Sequence, residues 1–218
     1  MIEPWILVGG GLAVVGAAAW FQRARERKRR DAYAEYSLIR GYTYEPRRAD
    51  GERRFRDAFD VFKQGGGDSW RNTITGTKHR APFTAFEYVW HTGSGKSRHR
   101  HTVSGLIWER DDVSLPSFAL APEGWFSRLG DVFSKRDIDF VDSPDFSRVY
   151  QLKAADEQAV RQLFTPELRR FFEATPNQKV NGSGRFLFWW SDRRLPSPED
   201  LDEWLEQGDH VRRRFFPS

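Results

Sequence analysis

The pattern of hydrophobic and polar positions divides the chain into a short apolar start and a long mixed region. Residues 5–21 contain no charged side chain, and residues 22–30 then include six basic side chains and one acid. Seventeen helical residues extend about 26 Å, which approaches the roughly 30 Å hydrocarbon core of a bilayer. The pattern therefore predicts a transmembrane anchor over residues 1–22 and a polybasic juxtamembrane helix over residues 23–41.

The charges around the apolar segment predict its orientation. Residues 1–4 contain no Lys or Arg, whereas the six basic side chains follow the segment directly. Because basic flanks favour the cytoplasmic side, we expect the N-terminus outside and a domain of residues 42–218 in the cytoplasm, at the cell membrane. Two alternatives are a buried helix of a soluble protein and a cleaved signal peptide, although a signal peptide carries its positive charge before the apolar segment.

Two contacts are predicted for this N-terminal region. Basic side chains beside a membrane attract anionic lipid headgroups, so the basic run is expected to contact lipid, unless it serves only to set topology. Its members are Arg23, Arg25, Arg27, Lys28, Arg29 and Arg30. The small residues Gly9, Ala13 and Ala17 share one helical face and suit a homo-oligomeric helix contact, although small residues are common in membrane spans in any case.

From residue 70 onward the apolar positions alternate with a period of two, as they do in β-strands. The predicted strands are 72–77, 82–91, 98–108, 115–120 and 146–152, with a second hairpin over 179–190. Because the first four follow one another closely, they predict an antiparallel β-meander. Helical periodicity and capping residues predict helices at 22–40, 53–63, 156–164 and 165–174, and after Ser197, and residues 124–133 are expected to form a short helix or a turn. The expected fold class is α+β, with C-terminal helices.

Composition narrows the possible functions. The 218 residues include no cysteine, which excludes disulfides and cysteine-ligated metals. The net charge is +4 and the basic run alone carries six positive charges and one negative charge, so the remainder is nearly neutral and nucleic acid is not an expected partner. No complete nucleophile elbow or metalloprotease motif occurs. The sequence therefore predicts neither a cofactor nor a catalytic residue.

The strand region contains one histidine pattern that suits zinc. His99 and His101 share a strand face, and His91 joins them if the hairpin pairs residue 91 with residue 99. A register shift of one residue moves His91 to the other face. The three histidines are therefore weak candidates for metal ligands.

Residues 93–97 form the tip of the same hairpin. Their sequence, Gly-Ser-Gly-Lys-Ser, resembles the end of a phosphate-binding loop, but a strand pattern follows where that motif needs a helix. We interpret the segment as a glycine-rich turn. Residues 96–101, together with the basic residues 78–80, predict a basic patch whose occupant is either anionic lipid or solvent alone.

Six segments marked by aromatic, glycine and proline positions carry a resemblance to a known group. They are Arg40–Pro46, Asn72–Gly76, Pro82–Lys96, Leu115–Glu123, Asp137–Phe140 and Phe146–Leu152. Together they resemble an uncharacterised group of single-pass bacterial membrane proteins that is commonest in actinobacteria. The resemblance implies a membrane anchor and a shared fold, and it brings no catalytic residue.

These observations predict a membrane-anchored module that binds or scaffolds a partner, such as another protein. The first alternative is an enzyme with an unrecognised site that acts near the membrane. The second is a domain that contacts anionic phospholipid through its basic residues.

Overall fold

An antiparallel sheet forms the centre of the protein in a computed structural model that describes residues 4–48, 53–63, 66–126 and 136–216. Its nine strands are β1 (Thr43–Arg48), β2 (Gly66–Lys78), β3 (Ala81–Thr92), β4 (His99–Glu109), β5 (Leu115–Pro122), β6 (Arg136–Asp137), β7 (Tyr150–Ala154), β8 (Val180–Gly184) and β9 (Phe186–Ser191). Their order across the sheet is β1-β2-β3-β4-β9-β8-β5-β7-β6.

Helices cover both faces of this sheet. They are α1 (Pro4–Arg40), α2 (Arg53–Ala58), α3 (Pro144–Val149), α4 (Glu157–Leu163), α5 (Pro166–Ala174) and α6 (Pro198–Phe215), with short 3-10 turns at Asp60–Lys63 and Gly95–Ser97. One buried cluster joins α1 and α3–α6 to one face, and a second joins α2 and the first 3-10 turn to the other. The alternation along β3 explains this division, because Phe83 and Ala85 belong to the first cluster and Phe86 and Tyr88 to the second.

The predicted α+β class is confirmed, and the predicted meander is confirmed only in part. Strands β2, β3 and β4 are sequential neighbours, and β1 adds a fourth. Strand β5, however, is separated from β4 by the C-terminal hairpin β8–β9. The reason is that Phe186–Trp190 is buried at every position, which suits a strand covered on both faces in the middle of a sheet.

Local signals placed several elements correctly. Asp156 and Thr165 accept hydrogen bonds as the N-caps of α4 and α5, and Pro166 begins α5. Gly41, with φ +69°, follows the last residue of α1 in the left-handed conformation. The predicted strand over 146–152 begins later, because α3 occupies its first residues. Most of the short helix or turn predicted over 124–133 lies outside the described residues.

The prediction of a membrane span is wrong. Among the residues that the structure describes, no helix combines the length and the apolar character needed to cross a bilayer. The described side chains of α1 include the charged run 23–30 and then Tyr33 and Tyr36, which are buried against the sheet. On this finding, the transmembrane helix, the single-pass topology and the membrane partner predicted above are withdrawn.

The small-residue face of α1 has only one member whose side chain is described. Ala17 is exposed, while the side chains of Gly9 and Ala13 lie outside the described part of the chain. The homo-oligomer predicted from these three residues depended on a membrane span, so its basis is removed together with the span.

Candidate functional site

A buried carboxylate, that of Glu87 on β3, joins three parts of the fold. Its side chain is 1% exposed and lies beneath α1. Arg29 donates to both carboxylate oxygens, with Nη2–Oε1 at 2.6 Å and Nη1–Oε2 at 3.2 Å. Asn72 Nδ2 and the backbone N–H of Leu195 each donate at 2.9 Å. These four bonds supply the buried charge with donors from a helix, a strand and a loop.

The geometry around Glu87 depends on an irregularity in β2. The β2–β3 register shifts between Arg71 and Ile74, and Asn72 has a φ of 47°. Such a bulge inserts one extra residue and redirects a side chain, and asparagine tolerates the left-handed conformation well. Asn72 thereby reaches Glu87, and Tyr44 of β1 donates to its Oδ1 at 2.8 Å.

This network holds α1 against the loop that follows β9. Burial raises the pKa of Glu87, but the hydrogen bonds and positive charge of Arg29 outweigh burial and leave the pKa below its ordinary value. Tyr33 donates to the carbonyl of Pro196 at 2.6 Å, and Arg194 pairs with Glu26 at 3.1 Å. Because every partner belongs to the fold itself, we interpret these contacts as a structural clamp, named here the α1 clamp.

A cleft of about 790 Å³ opens at the end of the sheet where β9 finishes and β8 starts. Trp189 and Trp190 are successive residues of β9, so their rings lie on opposite faces of the sheet. Trp189 packs against Trp204 of α6 with ring centroids 5.2 Å apart, and Trp190 meets Trp125 at 4.7 Å. We call this site the tryptophan cleft, because these four indoles line it.

A buried lysine lies in the tryptophan cleft. The side chain of Lys179 is 8% exposed, and its Nζ is 3.0 Å from Asp192 Oδ1. The same Nζ lies 5.3 Å and 5.4 Å from the ring centroids of Trp125 and Trp190, which is cation–π distance. Burial raises the pKa of Asp192, but the hydrogen bond and charge of Lys179 lower it below its ordinary value. Lys179 therefore forms an ion pair with Asp192 and lies against two indole rings.

The wall of the cleft also contains a hydroxyl with unused bonding capacity. Ser104 lines the cleft and is fully buried, and its Oγ has no hydrogen-bond partner among the described residues. A buried polar group without a partner costs about 1–3 kcal/mol, so such an atom needs an explanation. The amides of Asn177 and Gln207 add further donors and acceptors to the rim.

The six basic residues predicted to contact lipid divide into two groups. Arg29 turns inward to Glu87, because it lies one turn from the buried Tyr33 and shares its face. Arg30 is also partly buried. The other members remain exposed, namely Arg23, Arg25, Arg27 and Lys28. Contact with anionic headgroups stays a prediction for these four.

The three candidate zinc ligands do not converge. The β3–β4 register pairs residue 91 with Arg100, and it pairs His99 with Thr92. His91 therefore lies on the opposite face from His99 and His101. His101 instead stacks on Trp90 with ring centroids 5.0 Å apart. The observed register differs by one residue from the register that would bring the three imidazoles to one face, and it therefore separates them.

The predicted basic patch is also divided by the fold. Residues 78–80 and 96–101 lie at opposite ends of β3, whose 12 residues extend about 36 Å. Lys78 Nζ and His79 Nε2 reach Glu206 of α6, at 3.3 Å and 3.1 Å. These basic side chains are used to attach the β2–β3 turn to α6.

The β2–β3 turn also brings one histidine close to two acids of α6, and this combination of side chains can bind a metal ion. His79, Glu206 and Asp209 offer ligand atoms within 4.8 Å of one another. Sequence reasoning missed this cluster, because 127 residues separate His79 from Glu206. The neighbouring cations are Lys78, Arg212 and Arg213. Since these cations already neutralise both carboxylates, we interpret the cluster as an ion-pair network.

Comparison with known proteins identifies a similar fold. No protein-family model and no curated protein matches the sequence. Among solved structures, the chain is similar to the mycobacterial trehalose monomycolate transport factor A, TtfA, with a TM-score of 0.57 over 85% of this chain and 90% of that one. At 12% sequence identity the similarity shows a common fold alone.

Proposed function

We propose that the protein is a binding factor whose ligand site is the tryptophan cleft. The observation that carries this proposal is the joint presence, in one cleft, of four indoles, the Lys179–Asp192 pair and the unpartnered hydroxyl of Ser104. No histidine lines the cleft as it is described, and the Nζ of Lys179 is paired with Asp192 at 3.0 Å. Such an arrangement favours recognition of a ligand over chemistry on it.

The groups in the cleft suit a carbohydrate or another polyhydroxylated ligand. Sugars present hydroxyls that both donate and accept, and the polar side chains of the cleft are their partners, because the four indoles are only 3–9% exposed. Asp192 and Glu123 supply acceptors and Arg193 supplies donors, beside the amide of Asn177. The volume of about 790 Å³ lies within the range of small-ligand sites, which is roughly 300–1,000 Å³.

The similar fold of TtfA supports a binding role of this kind. That protein is named as a trehalose monomycolate transport factor, which makes trehalose a rational first probe for this chain. We therefore propose that this protein is an accessory factor in transport. Its tryptophan cleft contacts the sugar part of the transported molecule.

Titration of the full chain with trehalose, followed by intrinsic tryptophan fluorescence and calorimetry, tests the proposal. We expect a saturable fluorescence change and at least a tenfold loss of affinity in Asp192→Asn and Gln207→Ala. Asp145→Asn is the matched control, because this carboxylate is 72% exposed on α3 and lies outside the cleft. An absence of saturable binding, or equal affinity in the cleft variants and the control, would refute the proposal.

A further inference from the structure

Three arginines gather on one face of the β1–β4 part of the sheet. Arg47 of β1 lies directly opposite Arg71 of β2. Arg71 is in turn opposite Glu87, and Arg100 of β4 is opposite His91, which is four residues beyond Glu87 on β3. Because residues four apart on a strand share a face, all three arginines lie on the side of Glu87. We call them the arginine triad.

This arrangement breaks a local rule of sheet stability. Like charges directly opposite each other in neighbouring strands are destabilising. Burial lowers the pKa of Arg71, and the positive charges of Arg100 and Arg47 lower that pKa further. The like-charge repulsion therefore acts on a half-buried guanidinium, where water screens it incompletely.

Within the part of the chain that the structure describes, no carboxylate forms an ion pair with the triad. Arg71 Nε donates to Ser69 Oγ at 2.9 Å, a neutral acceptor. The acids nearest to Arg71 are Glu26 and Glu87, which lie 3.1 Å and 2.6 Å from the guanidinium nitrogens of Arg194 and Arg29. Both nearby carboxylates are thus already paired with arginines of the α1 clamp.

Two buried arginines elsewhere in this protein are compensated. Arg169, with a side chain 4% exposed, pairs with Asp142 at 2.7 Å, and Arg212, 5% exposed, pairs with Asp209. The chain therefore has the means to neutralise an arginine and does so elsewhere. A convergence of three cations whose neighbouring acids, Glu26 and Glu87, are already paired with other arginines is the charge pattern of a site that receives its anion from outside.

We infer that the arginine triad is a binding site for a phosphate-bearing anion, either a free phosphorylated compound or the headgroup of a phospholipid. Guanidinium groups form paired hydrogen bonds with the oxygens of phosphate, and three of them match a group with several charged oxygens. The site is separate from the proposed carbohydrate function, because none of the three arginines lines the tryptophan cleft.

Inorganic phosphate, titrated into the full chain at ionic strength matched with chloride, tests the site. Arginine Nε–Hε signals in NMR spectra are expected to shift saturably in the wild-type protein. Arg47→Gln/Arg100→Gln changes two exposed members and keeps the half-buried Arg71, and we expect it to weaken phosphate binding at least tenfold. The control is Arg148→Gln/Arg170→Gln, which removes two charged side chains that are 76% and 68% exposed and lie on the helices α3 and α5.

Two further arms identify the source of the anion. Loss of binding to phosphatidylglycerol vesicles in the triad variant, with phosphatidylcholine vesicles as the reference, supports a headgroup; loss of phosphate binding alone supports a free compound. The triad variant should also unfold at a higher temperature than wild type in phosphate-free buffer, because repulsion is relieved. Equal phosphate affinity in the triad and control variants, absence of saturable shifts, or a lower unfolding temperature would overturn the inference.

Discussion

Replacing Glu87 by glutamine should detach α1 from the sheet without changing the shape of the side chain. Both oxygens of Glu87 accept from donors only: Oε1 from Arg29 and the Leu195 N–H, and Oε2 from Arg29 and Asn72. A glutamine has one acceptor and one donor group in these two places. In either orientation its NH₂ group faces two donors, and Arg29 loses its counter-charge.

The expected cost follows from the burial of the pair. Removing one partner of a buried, hydrogen-bonded ion pair costs about 3–5 kcal/mol. The side chains of Glu87 and Arg29 are 1% and 18% exposed, and the glutamine carbonyl retains part of the bonding. We therefore expect a loss near the lower limit, about 3 kcal/mol, which is a large fraction of the 5–15 kcal/mol that typically stabilises a domain.

The pH dependence has a defined sign. Because the pKa of Glu87 is lower in the folded than in the unfolded state, its contribution is fully present above the unfolded pKa of about 4.3. That contribution is lost as the pH falls through the lower, folded value. The difference between wild type and Glu87→Gln should be constant from about pH 7 to pH 5 and should shrink below about pH 4.

Urea unfolding followed by tryptophan fluorescence measures the free energy, and hydrogen exchange of the α1 amides after residue 23 reports detachment of the helix. Glu157→Gln is the control, since Glu157 forms an exposed pair with Arg161 at 2.7 Å on α4 and should lose no more than about 0.5 kcal/mol. A loss below about 1 kcal/mol in Glu87→Gln, or unchanged exchange in α1, would show that the α1 clamp does not hold the helix.

Three further predictions address packing, capping and the cleft. Gly182→Ala should lower the unfolding temperature by several degrees, because the new Cβ would lie 2.2 Å from the Phe118 ring; an unchanged temperature would contradict this packing. Asp156→Ala should cost about 1 kcal/mol in urea unfolding by removing the N-cap of α4, and Asp156→Ser should restore most of it. Lys179→Met should change the free energy of unfolding by less than about 1.5 kcal/mol, because the partner Asp192 is 56% exposed and stays hydrated; a loss above about 3 kcal/mol would contradict this.

Local patterns predicted the parts of the fold that neighbouring residues determine. Tyr33 and Tyr36 are three residues apart on α1 and are both buried, as helical spacing requires of one face, and alternation along β3 places Phe83 and Phe86 on opposite faces. Ile39 fits the same helical spacing but is 74% exposed. It lies in the last turn of α1, directly before Gly41, where the chain leaves the helix toward β1.

The site and the strand order depended on contacts that are distant in sequence. Arg29 and Glu87 are 58 residues apart, and nothing in either local sequence shows that they meet. The insertion of β9 beside β4 and the register that separates His91 from His99 are set by tertiary packing as well. The apolar run at the start satisfied a length and charge pattern for a span, but that pattern takes no account of how α1 packs against the domain.

The loop that follows β9 connects the α1 clamp to the tryptophan cleft. Asp192 and Arg194 line the cleft, and Arg194 also pairs with Glu26 of α1. The next residue, Leu195, donates its N–H to Glu87. The segment 192–196 thus forms one wall of the cleft and also makes the contacts that hold α1. Since a clamped loop presents its side chains in one geometry, the buried charge of Glu87 holds that wall of the cleft in place.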